Sequence, residues 1–183
     1  MSARAVAAPY AYVPNALTAA RLVAIPVFVG LVLAAEGGHS WPAAILFGAA
    51  GVSDQLDGWL ARRWRVESEF GKVADPLADR LMIDAAVILL WIADRLPWPA
   101  ILLVVVRDAL LIAGYKLVAP KGYELSVNVL GKIGTWLLYA GLAFILVTHK
   151  GDDWPLWIFW TGVALAGAAG VLYAASAWRR VRT

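Results

Sequence analysis

Four aspartates, Asp54, Asp57, Asp75 and Asp79, fall within one short stretch of an otherwise apolar chain. Convergent carboxylates cannot all stay ionised unless cations lie between them. An all-oxygen donor set suits hard divalent ions such as Mg²⁺ or Mn²⁺ and suits Zn²⁺ poorly. The chain has no cysteine, which removes thiolate zinc sites, disulfides and cysteine nucleophiles. Divalent ions held by carboxylates usually serve phosphate chemistry, as clamps on a pyrophosphate or an attacking oxygen. A carboxylate not wholly used by metal can take a proton from an attacking hydroxyl. Arg62 and its basic neighbours can offset the remaining charge of such a substrate.

The spacing says which elements must hold these groups. Asp54, Asp57 and Ala61 stand at i, i+3 and i+7, and Gly71, Asp75 and Asp79 at i, i+4 and i+8, so each set shares one face of a helix. The small residues Gly58 and Gly71 allow a backbone or a ligand to come close. Of the 183 residues, 62% are hydrophobic and 16% charged, a balance that predicts a membrane protein. The ten tryptophans agree, since Trp favours membrane–water interfaces. The net charge of +3 reads as a topology signal and not as a nucleic-acid footprint.

A bilayer-crossing helix needs about 20 apolar residues. On that basis six spans are predicted, at about 16–35, 41–61, 73–93, 98–117, 127–148 and 154–178, making an all-α integral membrane protein of one domain over 1–183. Residues 1–15 read as a short cytoplasmic segment, too weakly apolar for a signal peptide. Lys and Arg cluster at both termini and in the even-numbered turns (Arg62, Arg63, Arg65, Lys72, then Lys116 and Lys121), which places these on the cytoplasmic side. His39 and His149 fall on the outer side. Trp41-Pro42, Trp98-Pro99 and Trp154-Pro155 each open a span from that side, with Trp at the interface and Pro in the first helical turn. Only roughly 20 Å of helix separates Trp41 from Ser53, short of the roughly 30 Å hydrocarbon core. The second span must therefore run on through Asp54 and Asp57, and by the same reasoning the third begins near Lys72 and includes Asp75 and Asp79. Both acid pairs then lie at similar depth near the cytoplasmic end of two antiparallel helices, facing the bundle interior.

The stretch Asp54-x2-Asp57-Gly58-x2-Ala61-Arg62-x8-Gly71-x3-Asp75-x3-Asp79 resembles the signature of the CDP-alcohol phosphatidyltransferase family at every fixed position. That family has six transmembrane helices and usually forms homodimers. The resemblance implies metal-dependent transfer of a phosphatidyl group from CDP-diacylglycerol to an alcohol, with release of CMP, in a bacterial inner membrane and at its cytoplasmic face. Carried over by position, Asp54, Asp57 and Asp75 would ligate two divalent ions, Mg²⁺ or Mn²⁺, with Asp79 completing the site and serving as general base. Gly58, Ala61, Arg62 and Gly71 would shape the CDP pocket. The family-like "VPNALTAARL" places Asn15 and Thr18 as candidates for nucleotide contact, Asn15 equally as a helix N-cap.

Two branches of the family are nearest, one using glycerol 3-phosphate and one, cardiolipin synthase, using phosphatidylglycerol. The glycerophosphate branch typically has Arg-Glu, a second Arg eight residues after the first, and a "GKxKT"-like element. Here Arg107-Asp108 is followed by Tyr115 at the second arginine position, and Gly134 stands at the second lysine position of Gly131-Lys132-Ile133-Gly134-Thr135. A phosphodiester acceptor carries less charge and needs fewer cations, so the expectation is cardiolipin synthase, with Arg107 and Lys132 as acceptor-binding residues. Arg107 is equally read as a buried ion pair with Asp84 or Asp108. Two other classes compete: an intramembrane prenyltransferase, whose acid motifs normally lie several helices apart, and a small ion transporter, whose acids should line a path to both sides.

Overall fold

The computed structural model describes the backbone of residues 13–64, 69–118 and 129–182, and the side chains of 16–53, 77–109 and 129–172. Six α-helices follow in order: α1 Val13–Leu33, α2 Trp41–Trp64, α3 Glu69–Ile92, α4 Trp98–Val118, α5 Val129–Val147 and α6 Trp154–Arg182. A 3₁₀ turn, Glu36–Gly38, joins α1 to α2, and no strand occurs among the described residues. Each predicted span coincides with one helix. As expected, α2, α4 and α6 begin at the three Trp-Pro pairs, whose tryptophans are exposed.

Among the described residues, three helices qualify as membrane-crossing by length and apolarity alone: Ala16–Leu33, Val129–Val147 and Trp154–Leu172. The apolar part of α2 is only Trp41–Ser53. Charged groups interrupt α3 (Asp79, Arg80, Asp84) and α4 (Arg107, Asp108). The expectation of six spans therefore rests, for α2 to α4, on how those charges are neutralised inside the bundle.

The helix ends have identifiable causes. Ser40 Oγ accepts the Ala43 N–H at 3.2 Å and caps α2, and the Ser40 N–H donates to the last turn of α5 at Leu146 O (2.8 Å). At the end of α3, Asp94 takes a left-handed conformation (φ 55°), Asp94 N–H bonds Trp91 O and Arg95 N–H bonds Leu90 O, the two bonds of a Schellman motif. Arg95 then reaches across to the C-terminus of α5, donating to Ile145 O (2.8 Å) and Thr148 O (2.9 Å). Beside it Lys150 pairs with Asp94 and holds that carboxyl below the usual carboxylate range.

One buried cluster holds the helices together: Phe28 and Val32 of α1, Phe47 of α2, Met82, Ile83, Val87 and Leu90 of α3, Leu138, Leu142 and Ile145 of α5, and Phe159 of α6. Valine, isoleucine, leucine and tryptophan side chains such as Val23, Ile45, Trp91, Leu102 and Trp157 point outward. This apolar exterior is what a lipid-facing surface requires.

Helices α5 and α6 form the most extensive pair. Glycines carry the contact: a Cβ on Gly162 would lie 2.6 Å from Leu138 N, and one on Gly141 2.7 Å from the Phe159 backbone. In lipid, where apolar surface gives no drive for association, such close backbone packing supplies it. Gly162→Val is therefore expected to destabilise the protein by about 1–3 kcal/mol, read as a lower unfolding temperature in detergent. Gly167→Val, at a position with open space around the Cβ, should leave that temperature unchanged.

Candidate active site

Helices α2 and α3 contact each other, and both pack on α1. The two aspartate pairs fall inside α2 and α3, as their spacing required. Among the predicted site residues, the side chains of Asn15, Asp54, Asp57, Gly58, Ala61, Arg62, Gly71 and Asp75 lie outside the described residues. Thr18, Asp79, Arg107 and Lys132 lie within them.

Asp79 is half-buried on α3, next to fully buried Ala78. The Tyr139 hydroxyl, on α5, donates a hydrogen bond to Asp79 Oδ1. The Tyr139 ring lies 4.9 Å from the Phe47 ring and against Gly51, both on α2. Gly51 is one helical turn before Asp54. Asp79 thus sits where α2, α3 and α5 meet.

A second group of charges lies beside it. Arg80 Nη1 pairs with Asp108 Oδ1 at 3.0 Å and also donates to Asp108 O at 3.3 Å. Arg107 Nη1 approaches the same Oδ1 at 3.4 Å, while its Nη2 donates to Thr135 Oγ1 at 3.0 Å. Thr135 passes the chain on to Gly131 O (3.0 Å). The Asp108 side chain is only 7% exposed, so this is an interior ion pair and not a solvated one. Of the two pairings the sequence left open for Arg107, the geometry forms the one with Asp108. Three buried polar atoms here have no hydrogen-bond partner among the described residues: Arg107 Nε, Asp108 Oδ2 and Asp84 Oδ1.

Thr18 is fully buried, so it faces the bundle and not an open aqueous mouth. Arg21, one turn further along α1, is 2% exposed and is the largest fully buried side chain among the described residues. Sequence reasoning passed over Arg21, although a lone arginine inside an apolar helix is itself a signal of an interior charge. It also passed over Tyr139, for which nothing in the local sequence gives a signal. Lys132 is exposed on the first turn of α5 and makes no ion pair among the described residues.

A carboxylate-only donor set on α2 and α3, with a half-buried Asp79, fits hard divalent ions by its chemistry. The neighbouring guanidinium groups suit a phosphate-bearing substrate.

Residues 11–168 match the CDP-alcohol phosphatidyltransferase family model. A Bacillus subtilis CDP-diacylglycerol–glycerol-3-phosphate 3-phosphatidyltransferase is 34% identical over 191 aligned positions, covering 93% of this chain and 97% of the relative. A Streptomyces coelicolor cardiolipin synthase (CMP-forming) is 36% identical over 184 positions, covering 93% and 84%. A Rickettsia typhi enzyme with the same name as the Bacillus one is 31% identical over 139 positions, covering 76% and 78%.

Proposed function

Because the chain belongs to the CDP-alcohol phosphatidyltransferase family and is a membrane enzyme of phospholipid biosynthesis, we propose that it transfers the phosphatidyl group of CDP-diacylglycerol to phosphatidylglycerol, forming cardiolipin and releasing CMP. All six helices cross a bacterial inner membrane, both termini and the site face the cytoplasm, and the enzyme works as a homodimer. The charged residues of α3 and α4 support six crossings, since Arg80, Arg107 and Asp108 neutralise one another inside the bundle.

Asp54, Asp57, Asp75 and Asp79 would hold two divalent ions, Mg²⁺ or Mn²⁺. When bound, these supply positive charge to the pyrophosphate and to the departing CMP. Asn15, Thr18, Gly58, Ala61, Arg62 and Gly71 form the nucleotide side of the pocket. Asp79 accepts the proton of the acceptor hydroxyl as its oxygen attacks the phosphorus bearing the diacylglycerol. The bond from that phosphorus to the CMP oxygen breaks, and CMP leaves with the electron pair.

The observation that carries the choice of acceptor is the state of the cations. Among the described residues, Arg80 and Arg107 are both committed to Asp108, which leaves Arg107 Nε and Lys132 to meet the acceptor. That is little charge for a phosphate monoester and suits the phosphodiester of phosphatidylglycerol. Asp84 Oδ1 and Asp108 Oδ2, without a partner among the described residues, are acceptors for the hydroxyls of its glycerol. The near end-to-end match to the Bacillus enzyme favours a second reading, with glycerol 3-phosphate as acceptor.

Purified protein incubated with CDP-diacylglycerol and either acceptor, with the lipid product identified by mass spectrometry, decides between them. Cardiolipin is the expected product, and phosphatidylglycerophosphate alone would establish the second reading. Lys132→Ala is expected to raise the acceptor KM about tenfold with the donor KM unchanged, the signature of lost uniform binding. An equal rise in both would remove Lys132 from the acceptor site.

A further inference from the structure

We propose that Tyr139 is a positioning residue for Asp79, its phenol fixing the carboxylate that takes the acceptor's proton. This rests on the assignment of Asp79 as the base. The two residues are 60 positions apart, and the Tyr139 hydroxyl spans from α5 to Asp79 Oδ1 on α3. With that oxygen held, the orientation of the carboxylate is restrained at one end.

The ring is itself held. Phe47, fully buried and tilted against Phe28 with ring centroids 5.5 Å apart, covers one part of it at 4.9 Å. Gly51 gives the ring room: a Cβ there would lie 2.9 Å from Tyr139 Cε1 and 3.0 Å from Cδ1. Any larger residue at 51 pushes the phenol off its present line. Glycine inside a helix is unfavourable by about 1 kcal/mol relative to alanine, and here it is offset by this contact.

Among the described residues Asp79 makes no ion pair, and its one hydrogen bond is to Tyr139. The neighbouring guanidinium groups of Arg80 and Arg107 are paired with Asp108, so the Tyr139 hydroxyl is the described group that holds this carboxylate.

The test uses the full chain in lipid–detergent micelles, with kcat and donor KM measured for wild type, Tyr139→Phe, Gly51→Ala, the double variant and Asp79→Asn. Tyr139→Phe keeps the ring and its packing and removes only the hydroxyl. Its kcat should fall about 10- to 100-fold, the scale of a misplaced catalytic group, with donor KM and unfolding temperature unchanged. Gly51→Ala should lower kcat by displacing the hydroxyl, and the double variant should be no slower than the worse single one. Losses that multiply in the double variant, or wild-type kcat in Tyr139→Phe, overturn the proposal. Tyr139→Phe decides alone if Gly51→Ala does not fold. Asp79→Asn separates the two claims: wild-type turnover there defeats the base assignment itself. A silent Asp79→Asn beside a fully active Tyr139→Phe defeats only the positioning role.

Discussion

Asp79→Asn is expected to lower kcat by about 10²- to 10⁴-fold, the range general-base catalysis contributes, while the protein still folds and binds CDP-diacylglycerol. Asparagine matches aspartate in shape and keeps a carbonyl oxygen to accept from Tyr139, so the α3–α5 contact survives. What it loses is the negative charge and the ability to take a proton. Parallel measurement of kcat and donor KM checks this, and a variant with wild-type turnover would remove Asp79 from the chemistry.

The second large effect is on stability. Asp108→Leu leaves the Arg80 and Arg107 guanidinium groups in the bundle without their shared counter-ion, at an expected loss of about 3–5 kcal/mol. Coulomb attraction across 3.0 Å and 3.4 Å is lost, but the larger part is two charges left desolvated. Replacing all three together, Arg80→Met, Arg107→Met and Asp108→Leu, should restore most of the stability, because an apolar triad needs no neutralisation. It should not restore acceptor affinity, since Arg107 Nε is gone. Thermal unfolding in detergent for the single and triple variants, with acceptor KM for the triple, reads both. A single variant that unfolds at the wild-type temperature would mean the cluster carries little of the interior electrostatics.

Much of the helix plan was legible from apolar runs and from Trp-Pro at three helix starts, because both follow from the bilayer's thickness and its interface. The ends were less so. The second span was expected to stop near 61 and the sixth near 178, whereas α2 runs to Trp64 and α6 to Arg182. Hydropathy reports where a helix leaves lipid, while hydrogen bonding decides where it ends, and arginines such as Arg62, Arg63, Arg179 and Arg180 continue a helix readily. Residues 13–15, read as part of a cytoplasmic segment, are already helical in α1.

At the site, the helical placement of the aspartate pairs followed from the i+3 and i+4 spacings, which constrain a single helix. Pairings between helices obey no spacing rule. That Asp108 takes both Arg80 and Arg107, that Thr135 completes the set, and that Tyr139 reaches Asp79 are products of how α3, α4 and α5 pack. Arg107 could be read from sequence as a ligand or as a pair, and the geometry gives it a pair while leaving one nitrogen over. Membership of the phosphatidyltransferase family removes the prenyltransferase and transporter alternatives.

Metal-dependent phosphatidyl transfer at the aspartates of α2 and α3 is the proposal on which the other expectations depend. It is checked by CMP release from CDP-diacylglycerol by the purified chain, with acceptor present and with or without EDTA. The expected result is release that requires the acceptor, stops with EDTA and returns with excess Mg²⁺ or Mn²⁺. Release that persists undiminished in EDTA, or no release from folded protein with either acceptor, would contradict it.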